Sequence, residues 1–144
     1  MRRDPIKLAL HLRQIVLDAV MQNLIDNKIQ VLCAELDGVH LHVLARFTLD
    51  NVRRQIGWSK LHATKTLKAH CTAVGYDLGL MKGEGIWAKR CGVKPIVDRD
   101  HQLETVAYIL DHEQQGATTW INPEWRDRVV SLRKWVTDRR RRRR

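Results

Sequence analysis

A chain of 144 residues has room for one well-buried core, since chains of this size bury roughly 68–70% of the surface their unfolded form exposes. With 44% apolar residues and five tryptophans it is not a disordered chain, and it has neither an apolar run near the ~18 residues of a membrane span nor the basic, apolar, small-residue order of a signal peptide. Its charge of +10 comes from 26 basic and 16 acidic residues, but residues 139–144 are all arginine, and without those six the count is 20 to 16, a body of only +4.

In chain order, Asp4-Pro5 is a helix start, a capping carboxylate followed by proline at the first helical position. Leu8, Leu12, Ile15, Val16, Ala19, Val20 and Leu24 recur at helical spacing and predict an amphipathic helix to about Asn27. Residues 28–47 change period and contain Asp37-Gly38, which suits a two-residue hairpin turn. That turn pairs Leu36 with Val39, Glu35 with His40, Ala34 with Leu41 and Cys33 with His42. Alternation then gathers Val39, Leu41, Val43, Ala45 and Phe47 on one apolar face and His40, His42, Leu44 and Arg46 on the other.

Thr48 or Asp50 can cap a second helix to about His70, with a break at Gly57-Trp58 and a basic surface that includes Arg53, Arg54 and Lys60. Residues 86–90 are the best place for another strand. Asp98 or Asp100 starts a third helix that Gly116 ends, and Asn122-Pro123 opens a fourth, with Trp125, Val129, Leu132 and Trp135 or Val136 as its buried stripe. The arginine run 139–144 is expected to be a disordered, solvated tail with unspecific affinity for phosphate. Cys33, Cys71 and Cys91 are odd in number and form no Cys-x-x-Cys, so they read as cytosolic thiols.

Chemistry concentrates in two places. His40 and His42, at i and i+2 of a strand, point the same way with Cβ atoms about 7 Å apart, close enough for both rings to reach one cation. Glu35, across from His40 in the expected register, is a candidate acceptor that orients the ring. On the third helix, Leu103, Val106, Ala107 and Leu110 face a core, while Glu104, Tyr108, Asp111, His112 and Gln115 fall opposite. Tyr108 and His112 are about 6 Å apart along the axis and about 40° apart around it, so they project together. A metal held by three such imidazoles polarises a phosphate oxygen while the phenolate attacks phosphorus.

At these residues the chain resembles the single-tyrosine HUH transposases, in particular the REP-associated tyrosine transposase branch. Val39-His40-Leu41-His42-Val43-Leu44 is similar to that family's histidine strand, and the stretch from Ile86-Trp87 through Tyr108-Ile109-Leu110-Asp111-His112 to Gly116-Ala117 is similar to its strand and tyrosine helix. The resemblance covers roughly residues 4–120. It implies a ferredoxin-like (RRM-like) α+β domain over residues 1–138, with helices on one face of an antiparallel sheet. The implied activity is cleaving and rejoining single-stranded or hairpin DNA through a 5′-phosphotyrosine link.

Carried over, Tyr108 is the nucleophile, and His40, His42 and His112 hold Mg²⁺ or Mn²⁺. Arg46, Arg53, Arg54, Lys60, Lys89 and Arg90 contact DNA, and phosphate contacts of this kind position a strand without reading it. Trp87 beside Lys89 and Arg90 could stack an unpaired base, whereas the tryptophans in general are expected in the core. The resemblance also implies a homodimer in a bacterial cytoplasm, associated with the nucleoid. In such a dimer the tyrosine helix of one chain can serve the other's histidines.

Family members usually place a strand before the first helix. Here the chain enters the helix at Asp4, so the sheet is expected to lack that strand and expose an edge, as in a late start or a truncated copy. The alternative from another class is therefore a non-catalytic single-stranded nucleic-acid-binding module on the same fold. A third is a basic structural domain in which His40, His42 and His112 never meet. What separates these readings is whether the three imidazoles and Tyr108 come together.

Overall fold

The computed structural model describes residues 7–38, 40–48, 50–80, 85–87 and 92–143. Helix α1, Leu10–Asp26, carries the expected stripe, with Leu12, Val16, Leu17, Val20 and Leu24 buried. It begins at Leu10, capped by an extended Ala9, while Asp4-Pro5 lies outside the described residues. The later start has a cause in hydrogen bonding. The Leu8 N–H donates to the Gly38 carbonyl at 2.8 Å and the Leu8 carbonyl accepts Arg13 Nε at 3.0 Å, so this backbone serves the neighbouring turn instead of a helical one.

Strands β1, Gln30–Leu36, and β2, Leu41–Arg46, form the antiparallel hairpin. Its register differs from expectation by two residues: Leu36 faces Leu41, Glu35 faces His42, Ala34 faces Val43 and Cys33 faces Leu44. Asp37 closes the turn instead of sitting at its centre. Its N–H donates to the His40 carbonyl at 3.0 Å and its Oδ1 accepts the His40 N–H at 2.6 Å. A slip of two, unlike a slip of one, leaves each side chain on its own face. An irregularity between Val31 and Cys33 has the form of a bulge, and it returns Val31 to the face that carries Ala34 and Leu36.

The third strand, β3, Thr118–Ile121, pairs antiparallel with the other edge of β1, giving the order β2-β1-β3. The strand expected at 86–90 is not seen among the described residues. Residues 86 and 87 are a bend, and 88–90 lie outside the described residues. Asn122 fixes the end of β3, donating from its backbone to Leu32 O at 3.1 Å and from Nδ2 to Val31 O at 2.8 Å.

The result is an α+β fold with helices on both faces of the sheet, not on one as expected. Helices α1 and α2 pack with Val31, Ala34 and Leu36, backed by Leu41, Val43 and Ala45. Cys33 and Leu44, on the other face, pack with Val106, Ile109 and Leu110 of α3 and Val129 of α4. The cause is β1 itself, which is apolar toward both sides and has to be covered twice. Cys33 and Cys71 are free and buried, and burial pushes the Cys33 thiol up to about 12; Cys91 lies outside the described residues.

Helix α2, Val52–Val74, is unbroken through Gly57-Trp58, is preceded by Asn51 and not Thr48 or Asp50, and ends at Gly75 with φ 74°. Helix α3, Arg99–Asp111, is capped by Asp98, whose side chain accepts the His101 N–H at 2.8 Å. A 3₁₀ turn, His112–Gln115, continues it to Gly116 at φ 88°. Asn122 caps a second 3₁₀ turn, Pro123–Trp125, and α4 follows over Arg126–Arg142.

The arginine run is therefore not a disordered tail within the described residues, since Arg139–Arg142 are the last turn of α4. Acidic residues of α3 hold α4 along its length: Arg133 meets Asp111 at 3.2 Å, and within the run Arg140 meets Glu104 at 2.5 Å and Arg139 meets Asp100 at 3.6 Å. Arginine is also a good helix former, and cations favour a helix C-terminus.

Candidate active site

The face of the sheet under α3 carries one carboxylate. Glu35 is fully buried on the central strand, flanked by His42 on β2 and Thr119 on β3. Glu35 Oε1 accepts a hydrogen bond from His42 Nδ1 and stands 3.5 Å from His112 Nδ1. Its other oxygen, Oε2, is buried without a partner among the described residues. The predicted partner of Glu35 was His40; the two-residue shift in register replaces it with His42.

The other imidazoles have acceptors of their own. His112, at the junction of α3 and its 3₁₀ turn, places Nδ1 2.7 Å from the Tyr108 carbonyl. His40 lies in the turn, just before β2, with Nδ1 3.4 Å from Asp37 Oδ2. A carboxylate and a carbonyl only accept, so Nδ1 of His42 and of His112 carries the proton, and in the neutral rings Nε2 keeps its lone pair. The hydrogen bond that His42 donates to Glu35 holds the His42 pKa above its usual value; burial opposes this, and the charges of Glu35 and Asp37 add to it against that of Lys94.

The rings form a contiguous group. His42 stacks with His40 at a centroid distance of 6.4 Å and with His112 at 6.0 Å. Tyr108 meets His112 edge-on at 4.6 Å and His42 at 5.8 Å. Tyr108 is 54% exposed, so its ring borders the histidines and remains open to solvent. A single chain thus brings Tyr108 to its own histidines. Among the described residues no three His, Cys, Asp or Glu side chains already converge on a common metal position. In type and in pairing, however, the three imidazoles suit a cation: engaging Nδ1 with an acceptor is how proteins hold a ligating histidine.

The predicted DNA contacts divide. Arg46 is exposed at the end of β2, on the strand face of His42. Arg53, Arg54 and Lys60 are on α2, which packs with the opposite face of the sheet, so they are not gathered around Tyr108. The odd-numbered side chains of β2 take α2, whereas the histidine side takes α3. Lys89 and Arg90 lie outside the described residues. Lys60 Nζ sits 5.5 Å from the centroid of Trp87, whose indole N–H donates to Lys60 O at 3.0 Å.

Two of the tryptophans expected in the core are about half exposed, Trp58 at 50% and Trp135 at 48%. Two neighbours of the site were missed by sequence reasoning. Thr119 carried no signal because β3 was not foreseen, and Asp37 was visible only as a turn residue. No helix among the described residues is long and apolar enough to cross a membrane. No family model matches this chain, and no curated protein or solved structure matches it either.

Proposed function

We propose that the protein is a metal-dependent transferase of single-stranded DNA, of the single-tyrosine HUH transposase type, on a ferredoxin-like variant with a second helical layer. The observation that carries this reading is the cluster itself: three imidazoles, each with Nδ1 turned to an acceptor, and a half-exposed tyrosine against two of them. His40, His42 and His112 would hold Mg²⁺ or Mn²⁺ through Nε2. Imidazole suits several divalent ions, and it is the phosphoryl-transfer chemistry that points to Mg²⁺ or Mn²⁺. When bound, the cation supplies positive charge against the non-bridging phosphate oxygens.

Tyr108 supplies the nucleophile. Its phenolic oxygen forms a bond to phosphorus as the bond from phosphorus to the 3′-oxygen breaks. The phenol's proton is lost to solvent, and the departing 3′-oxygen takes one up. A 3′-hydroxyl attacking the phosphotyrosine reverses the step and rejoins the strand. Glu35 orients His42, and Arg46, exposed at the end of β2 on the His42 side of the strand, would take a backbone phosphate.

The test is a labelled, hairpin-flanked single-stranded oligonucleotide incubated with the protein and Mn²⁺. The expected result is a denaturation-resistant covalent adduct that disappears in Tyr108→Phe and drops strongly in His42→Ala. An adduct that persists in Tyr108→Phe overturns the role of the tyrosine. Binding with no adduct at all favours a non-catalytic nucleic-acid-binding module, the reading to which the open spacing of the histidines lends itself.

A further inference from the structure

Helical phase divides the cations of α4 into two sets. Arg133 and Arg140 face α3 and are neutralised there, Arg133 by Asp111 and Glu113 and Arg140 by Glu104 and Asp111. Trp135, Arg139 and Arg142, at i, i+4 and i+7, fall on a different stripe, and with Arg143 they line a hollow of about 210 Å³ at the end of the helix. Arg139 bridges the two sets. Its guanidinium lies 5.2 Å from the Trp135 ring centroid and its NH1 is 3.6 Å from Asp100. Arg142 and Arg143 are exposed and have no acidic partner among the described residues.

We propose that Trp135, Arg139, Arg142 and Arg143 form a subsite for an unpaired nucleotide segment, with a base against the indole and the adjoining phosphates on the arginines. A half-exposed tryptophan already carrying a guanidinium offers a flat apolar face beside fixed positive charge, the pairing by which proteins hold single strands without reading sequence. Charge alone would suit any polyanion. The ring is what selects a polymer that carries exposed bases. The location also fits, because Asp100, which holds Arg139, precedes Tyr108 by eight residues, about 12 Å along α3. A strand seated here could continue to the tyrosine within a few nucleotides. The choice of DNA rests on the proposed function, but binding at this subsite does not depend on cleavage.

The experiment uses the full chain in EDTA, where strand transfer is excluded, and measures binding of fluorescein-labelled (dT)20 and of an abasic phosphodiester of equal length and charge. The wild type is expected to bind (dT)20 more tightly. Trp135→Ala should weaken (dT)20 by about 5- to 150-fold, the range for loss of one base stack, and leave the abasic polymer nearly unchanged. Trp135→Phe, which keeps a ring, should restore most of the preference for bases.

Arg142→Gln with Arg143→Gln should weaken both polymers and lower the salt slope by about 1.4, two contacts at roughly 0.7 each. Equal binding of the two polymers by the wild type overturns the subsite, as does an equal loss for both, or no loss for either, in Trp135→Ala. Because adduct formation with Mn²⁺ is scored separately through Tyr108→Phe, either proposal can fail while the other stands.

Discussion

Glu35 is the residue on which the site turns. A carboxylate with no exposed surface on a central strand is costly unless it is paired, and here one oxygen is bonded to His42 while the other has no partner among the described residues. The bond raises the His42 pKa, so the folded chain holds that proton more tightly than the unfolded one. The pair's contribution is therefore complete below the ordinary histidine value of about 6.5 and is lost as pH rises through the higher folded value. In metal-free protein the melting temperature of the wild type should fall as pH rises from 6 to 8, and that of Glu35→Gln should fall less. Parallel profiles would show that the pair does not couple to stability. The same variant separates orientation from packing, because the amide keeps the shape of the carboxylate and loses its charge. By calorimetric titration Glu35→Gln should bind Mn²⁺ about 10- to 100-fold more weakly, the usual cost of losing the acceptor behind a ligating histidine. Unchanged affinity would leave Glu35 a purely structural residue.

At the scale of elements, the site depends on how α3 hands over to β3. The helix delivers Tyr108 and His112, Gly116 reverses the chain at φ 88°, and β3 then places Thr119 beside Glu35. An added Cβ at Gly116 meets no atom within 4 Å, so the cost of Gly116→Ala is conformational. A left-handed L-residue costs about 1–2 kcal/mol, and chemical denaturation should show a loss of that size; no loss would mean that the turn relaxes freely. The helices were legible because an apolar stripe with a 3.6-residue period is a local signal, as were Asp98 and Gly116 at the ends of the tyrosine segment. Four residues, Thr118–Ile121, are too few to show a period, and β3 exists because β1 offers it an edge. The helical state of Arg139–Arg142 was hidden for a similar reason: Arg140 is held by Glu104, 36 residues earlier. His40, His42, Tyr108 and His112 could be paired off from spacing alone, but the partner of Glu35 depended on a turn that Asp37 closes with its side chain.

For the molecule as a whole, the two helical layers decide whether one chain is sufficient. Tyr108 is carried by α3 over its own sheet, and α3 is anchored there by Leu103, Val106, Ala107, Ile109 and Leu110, all buried. Fully burying a large apolar side chain is worth about 1.5–3 kcal/mol, so withdrawing the two leucines, the isoleucine and the valine among them would cost about 6–12 kcal/mol, comparable with the whole stability of a domain, about 5–15 kcal/mol. The ring contacts agree, since Tyr108 already lies 4.6 Å from His112 and 5.8 Å from His42 of its own chain. Mixing Tyr108→Phe chains with His40→Ala chains should therefore give no more covalent adduct than the two variants give apart, even where the chains associate. Recovery in the mixture would show that Tyr108 serves a partner's histidines, and if α3 is exchanged to do so it should be accompanied by loss of amide protection across Arg99–Asp111 as the chains dissociate.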